Sequence, residues 1–84
     1  MMIVTFSPHA LKDIKNLDLV VRRRVAQKIE DIQADRAKLE PLAGELSGLW
    51  KVYVGLKWRI LLEISPDQQT ALIVKVAPRR DAYR

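Results

Sequence analysis

Hydrophobic positions recur with two different periods along this chain, and the change falls near residue 45. Residues 3–6, Ile-Val-Thr-Phe, are β-branched or aromatic and stop at Ser7-Pro8, an N-cap residue followed by proline at a first helical position. This predicts a short edge strand that runs into a helix. Ala10, Leu11, Ile14 and Leu17 then fall at helical spacing, and Asn16 and Asp18 interrupt the pattern where a second N-cap fits. Between residues 18 and 39, Val21, Val25, Ile29 and Ile32 form one apolar stripe on a longer helix. The two segments predict a helical hairpin.

Pro41, Gly44 and Gly48 crowd the next stretch, so it reads as a connector. Beyond it the period becomes two. Segments 49–54, 58–65 and 70–77 are strand-like, and the links Gly-Leu-Lys and Pro-Asp-Gln-Gln are short enough to require an antiparallel meander. The predicted fold class is α+β: an N-terminal strand, a helical hairpin and a three-stranded antiparallel meander in one domain over residues 1–84. Alternation puts Val52, Val54, Ile60, Leu62, Ile64, Leu72, Val74 and Val76 on the face that covers the helices. The other face receives Lys51, Tyr53, Arg59, Leu61, Glu63, Ile73 and Lys75, and counting on past Pro78 adds Arg79. Three strands thus each carry a cation to one face, which reads as a phosphate cradle.

Charge supports that direction. The 84 residues carry a net charge of +5, and 49% of them are hydrophobic. Residues 1–50 hold 8 Lys/Arg against 7 Asp/Glu, whereas residues 51–84 hold 7 against 3. The excess lies in the C-terminal part and favours a polyanionic partner. There is no cysteine and only one histidine, His9, which leaves neither a disulfide framework nor a metal shell. No leader pattern or membrane-length apolar run is visible, so the expected location is the cytoplasm.

Other residues read more simply. Arg22, Arg23 and Arg24 on the long helix fit a solvated face, with a nucleic-acid or acidic-partner grip as the alternative. Trp50 and Trp58 adjoin apolar strands and suit core or rim packing, although Trp58, next to Arg59, is also a stacking candidate for a base. His9 reads as surface filler, and Glu63 and Asp81 as orienters of nearby cations. Glycine-rich phosphate loops, paired catalytic carboxylates and serine-nucleophile motifs are absent from the sequence.

With those residues in place, the sequence resembles the RelE/ParE superfamily of toxins from type II toxin-antitoxin modules. The resemblance is carried by "PLAGELSGLWKVYVG", "KWRILLEI" and the ending "VAPRRDAYR", in that order. It implies a helical hairpin against a twisted, mainly antiparallel sheet, which the first strand joins, in some relatives by parallel pairing. It also implies one of two actions. RelE-like members cleave translated mRNA on the ribosome by metal-free attack of a ribose 2′-hydroxyl, and ParE-like members poison DNA gyrase. On the RelE-like reading, Lys51, Arg59, Arg79 or Arg80, and Tyr83 are the catalytic set, with Lys51 or Tyr83 as proton acceptor. Tyr53, Lys57, Trp58, Lys75 and Arg84 would bind RNA, and Tyr53 stands where many relatives carry a second Lys or Arg. The implied partners are a RelB-like antitoxin, the ribosome and mRNA, with promoter DNA reached only through the antitoxin complex and with no cofactor. A relic that only binds its antitoxin is the remaining alternative.

Overall fold

The computed structural model describes residues 1–79. Strand β1 spans Ile3–Phe6, and helix α1 follows over Pro8–Lys15. The Ser7 hydroxyl accepts a hydrogen bond from the Ala10 amide at 3.0 Å, and Pro8 opens the helix. Helix α2 spans Leu19–Gln33, with the Asp18 carboxylate accepting from the Val21 amide at 2.9 Å. Both caps satisfy amides that a helix start leaves open. The second helix ends one residue past Ile32, the last of its apolar stripe, and Asp35 then takes a left-handed backbone (φ 59°) that cannot continue a right-handed helix.

Arg22 joins the two helices. One of its terminal nitrogens donates to the Lys15 carbonyl at 2.9 Å and to the Leu17 carbonyl at 3.1 Å. These oxygens lie at and just past the end of α1, where the helix dipole favours a cation. All three arginines of the run are exposed, and these bonds give Arg22 a structural role as well.

A two-residue strand β2, Glu40–Pro41, and a 3-10 turn, Gly44–Leu46, occupy the predicted connector. The meander is β3, Trp50–Val54; β4, Trp58–Ile64; and β5, Thr70–Pro78. The described residues form a five-stranded sheet in the order β1-β5-β4-β3-β2, with β1 parallel to β5 and the other pairs antiparallel. Both helices pack on one face, where Val25 and Ile32 of the α2 stripe meet Val52, Ile60, Leu62 and Ile73 in the core. Burying each such side chain is worth about 1.5–3 kcal/mol.

Strict alternation fails once. Leu61 pairs with Lys75, but Leu62 pairs with Ile73, so Val74 is an extra residue in β5. The bulge reverses the parity before it: Ala71 and Ile73 are the core residues, together with Val76, whereas Leu72 and Val74 are only half-buried. The expectation that Leu72 and Val74 cover the helices, with Ile73 on the other face, is corrected by this one inserted residue. Side chains from the N-terminal unit satisfy the interrupted ladder. The Ser7 hydroxyl donates to the Val74 carbonyl at 3.1 Å, and the Val76 amide donates to the Asp13 carboxylate at 3.0 Å. Asp13 is itself met by His9 Nδ1 at 3.1 Å. Because parity is restored beyond the bulge, Lys75 and Arg79 share a face with Arg59. Among the described residues, no helix is long and apolar enough to cross a membrane.

Candidate functional site

The sheet face away from the helices carries two rows of side chains. Lys51, Leu61 and Lys75 stand opposite one another across three strands, and Tyr53, Arg59 and Ala77 form the next row. Register thus converts residues 53, 59 and 77 into immediate neighbours. The chain then passes Pro78, and the Arg79 amide donates to the Lys57 carbonyl at 2.7 Å, which fixes the backbone of Arg79 beside the β3–β4 turn. That turn is opened by Gly55 at φ 63°, a conformation that disfavours residues with a Cβ.

Three cations meet the Tyr53 ring. Lys51 Nζ lies 5.2 Å from the ring centre, the Arg59 guanidinium carbon 5.1 Å and the Arg79 guanidinium carbon 5.4 Å. All are within cation–π range. Arg59 is 5% exposed, and its Nη2 stands 3.5 Å from the Tyr53 hydroxyl, at the long limit of a hydrogen bond. Arg79 is exposed. One guanidinium is therefore fixed and the other is open to a ligand.

The phenol responds to this company. A hydrogen bond with Lys51 pulls the Tyr53 pKa below its ordinary value; partial desolvation opposes the shift, and the charges of Arg59, Lys51 and Arg79 add to it. Lys51 in turn lies 3.8 Å from Glu40 Oε2, its register partner on β2. Among the described residues, the arrangement is an acceptor-capable phenol among three cations, with the Glu40 carboxylate at its margin.

The structure brings together Lys51, Tyr53, Arg59 and Arg79 from the sequence-based set. Lys75 shares their face in the row of Lys51, and exposed Lys57 touches the site through its backbone. Trp58 is not brought there: it has the parity of Ile60 and packs against the helix-side core. That is the packing role read for it from the sequence, and it follows because β4 continues without a parity break. Lys57 and Arg79 also line an open hollow of about 500 Å³ with Leu56 and Pro78. Arg80, Tyr83 and Arg84 lie outside the described residues, as does Asp81. Glu40 is an addition that sequence reasoning missed, since a two-residue strand has no periodicity to detect. The centrality of Tyr53 did have a signal: alternation sets it beside Lys51, opposite Arg59.

Comparison with known proteins follows from this geometry. A family model described as the ParE toxin of type II toxin-antitoxin system, parDE, matches residues 4–83. A chain of the RelBE2 toxin-antitoxin complex from Mycobacterium tuberculosis superposes with a TM-score of 0.81 at 26% identity, covering 93% of this chain and 98% of that chain. The YoeB/ParE toxin from Agrobacterium tumefaciens gives 0.76 at 16% identity, with 93% and 99% covered. A YafQ variant from E. coli gives 0.76 at 12% identity, with both chains covered completely. Comparison with curated proteins returned no match.

Proposed function

Because the chain belongs to the ParE toxin family of type II toxin-antitoxin systems, we propose that it is a ribosome-dependent endoribonuclease that cleaves translated mRNA and is held silent by its antitoxin. The observation that carries this reading is the convergence of Lys51, Arg59 and Arg79 on Tyr53. Attack of a 2′-hydroxyl on phosphorus concentrates negative charge on the phosphoryl oxygens. Cations already in position stabilise that charge without reorganising, which is usually a large part of catalysis. Arg79 is open enough to meet the phosphate, and guanidinium groups suit its paired oxygens. A RelB-like antitoxin is the expected inhibitor, as the RelBE2 neighbour comes from a toxin-antitoxin complex. Contact with promoter DNA would then run through the antitoxin.

Primer extension on translated mRNA tests the reading. New 5′ ends should appear with the unaltered protein and fall sharply with Arg79→Ala. Arg59→Lys and Tyr83→Phe extend the test to a buried cation and to the tail. Undiminished cleavage in all three would remove the site assignment.

A gyrase-directed reading has its own support. The matching family model carries the ParE name, and the chain has Tyr53 where the RelE-like resemblance leads one to expect a second cation. A supercoiling assay separates the two: gyrase inhibition without mRNA cleavage would reverse the order.

A further inference from the structure

Tyr53 has a chemical capacity that the cations around it lack. A phenol is a hydrogen-bond donor when neutral and a charged acceptor once ionised, and its ordinary pKa near 10 leaves roughly one molecule in a thousand ionised at pH 7. Each unit by which the surroundings lower that pKa raises the phenolate fraction about tenfold. Among the described residues, the charged groups that face it are Lys51 on β3, Arg59 on β4 and Arg79 beyond β5. Glu40 on β2 acts at one remove, through Lys51. The three direct neighbours are positive and favour the phenolate. Lys51 donates to the phenol, and its ammonium faces a carboxylate, so in that pair the phenol is the acceptor. The ring also lies under the exposed Arg79 guanidinium, 5.4 Å from the ring centre, the group best placed to hold a phosphate.

We propose that Tyr53 is the proton acceptor of RNA cleavage. This rests on the ribonuclease reading and adds a role that the resemblance gives to Lys51 or Tyr83. The Tyr53 phenolate takes the proton of the ribose 2′-hydroxyl as the 2′-oxygen bonds to phosphorus. The bond from phosphorus to the 5′-oxygen breaks, and that oxygen takes a proton from water. The products are a 2′,3′-cyclic phosphate and a 5′-hydroxyl end, and Tyr53 returns its proton to solvent. Lys51, Arg59 and Arg79 serve twice, lowering the cost of the phenolate before attack and holding the phosphoryl charge during it. A base whose pKa lies closer to the working pH is the more effective general base.

Tyr53→Phe isolates the hydroxyl, because it keeps the ring on which the three cations rest. Cleavage of ribosome-bound mRNA is measured against pH for both proteins, with ribosome binding measured in parallel. The unaltered protein should show a rate that rises with pH and levels off below 10. Per ribosome-bound molecule, Tyr53→Phe should lose about 100-fold or more in rate and lose the rising limb. Placing 3-fluorotyrosine, a more acidic phenol, at position 53 alone should move the limb to lower pH, which a purely structural role would not do. Ultraviolet titration of the Tyr83→Phe variant, in which Tyr53 is the remaining tyrosine, should give a midpoint below that of free tyrosine. Cleavage by Tyr53→Phe with unchanged rate and profile would overturn the proposal and leave the ribonuclease reading standing. An ordinary midpoint for Tyr53 would likewise overturn it alone. Absence of cleavage by the unaltered protein would overturn both.

Discussion

The two faces of the sheet bury their residues by different physics. Toward the helices, Val52, Ile60, Leu62 and Ile73 are packed between apolar neighbours. On the far side, Arg59 is 5% exposed, comparable with those core residues, yet it lies beside a phenol and among other cations. Burying a charge near like charges costs stability unless hydrogen bonds and opposite charges compensate it. The first face supplies folding free energy, whereas the second gathers the positive charge that the proposed phosphate chemistry would use. Substitutions on the two faces should therefore separate stability from activity.

The largest effect on stability is expected from the helix side. Leu62→Ala leaves a cavity at a fully buried position and should cost roughly 2–5 kcal/mol in chemical denaturation. Cleavage per folded molecule should change little. On the other face the order reverses: Arg79→Ala, at an exposed position, should lower cleavage about 100-fold or more, equivalent to ~3 kcal/mol of transition-state stabilisation, while the denaturation midpoint stays nearly constant.

Asp13 lies between these extremes because it supports both faces. Its carboxylate accepts the amide of buried Val76, just past the bulge that sets the parity of Lys75 and Arg79. Asp13→Ala strands that amide and should cost about 1–3 kcal/mol. It should also reduce cleavage per folded molecule, because the end of β5 is less firmly held. Asp13→Asn retains an oxygen acceptor, so the smaller loss expected there checks that the hydrogen bond is the cause.

How far these features were legible depends on which physical signals are local. Both helix starts were visible because Ser7, Pro8 and Asp18 act within one turn of themselves. The register of β3 and β4 was visible because apolar and polar residues alternate there, and it correctly grouped Lys51, Tyr53 and Arg59. Strand β5 was ambiguous: Ala71, Leu72, Ile73 and Val74 are all apolar, so either face satisfies the pattern. The bulge that resolves it is held by Ser7 and Asp13, which are 67 and 63 residues distant from their partners in sequence. No window along the chain contains that information. Glu40 escaped for a related reason, as its position opposite Lys51 exists only once β2 pairs with β3.

The smallest predicted effect lies outside both faces, in the β4–β5 connection. The Asp67 carboxylate accepts from the Ser65 hydroxyl at 2.6 Å and from the Gln69 amide at 3.1 Å, and these bonds lower its pKa. A carboxyl group with a depressed folded pKa stabilises the fold above its unfolded pKa, near 3.9, and loses that contribution as pH falls through the folded value. Asp67→Asn should therefore be slightly less stable than the unaltered protein at neutral pH. The difference should fade on acidification below about pH 4, as followed by denaturation at several pH values.

The central claim is that the cations gathered around Tyr53 form a phosphodiester-cleaving site. Primer extension on mRNA translated by purified ribosomes, comparing the unaltered protein with Arg79→Ala at matched folded concentration, tests it most directly. The account predicts new 5′ ends with the first and about 100-fold fewer with the second. Equal cleavage by both proteins, or no cleavage by either together with inhibition of gyrase, would contradict it.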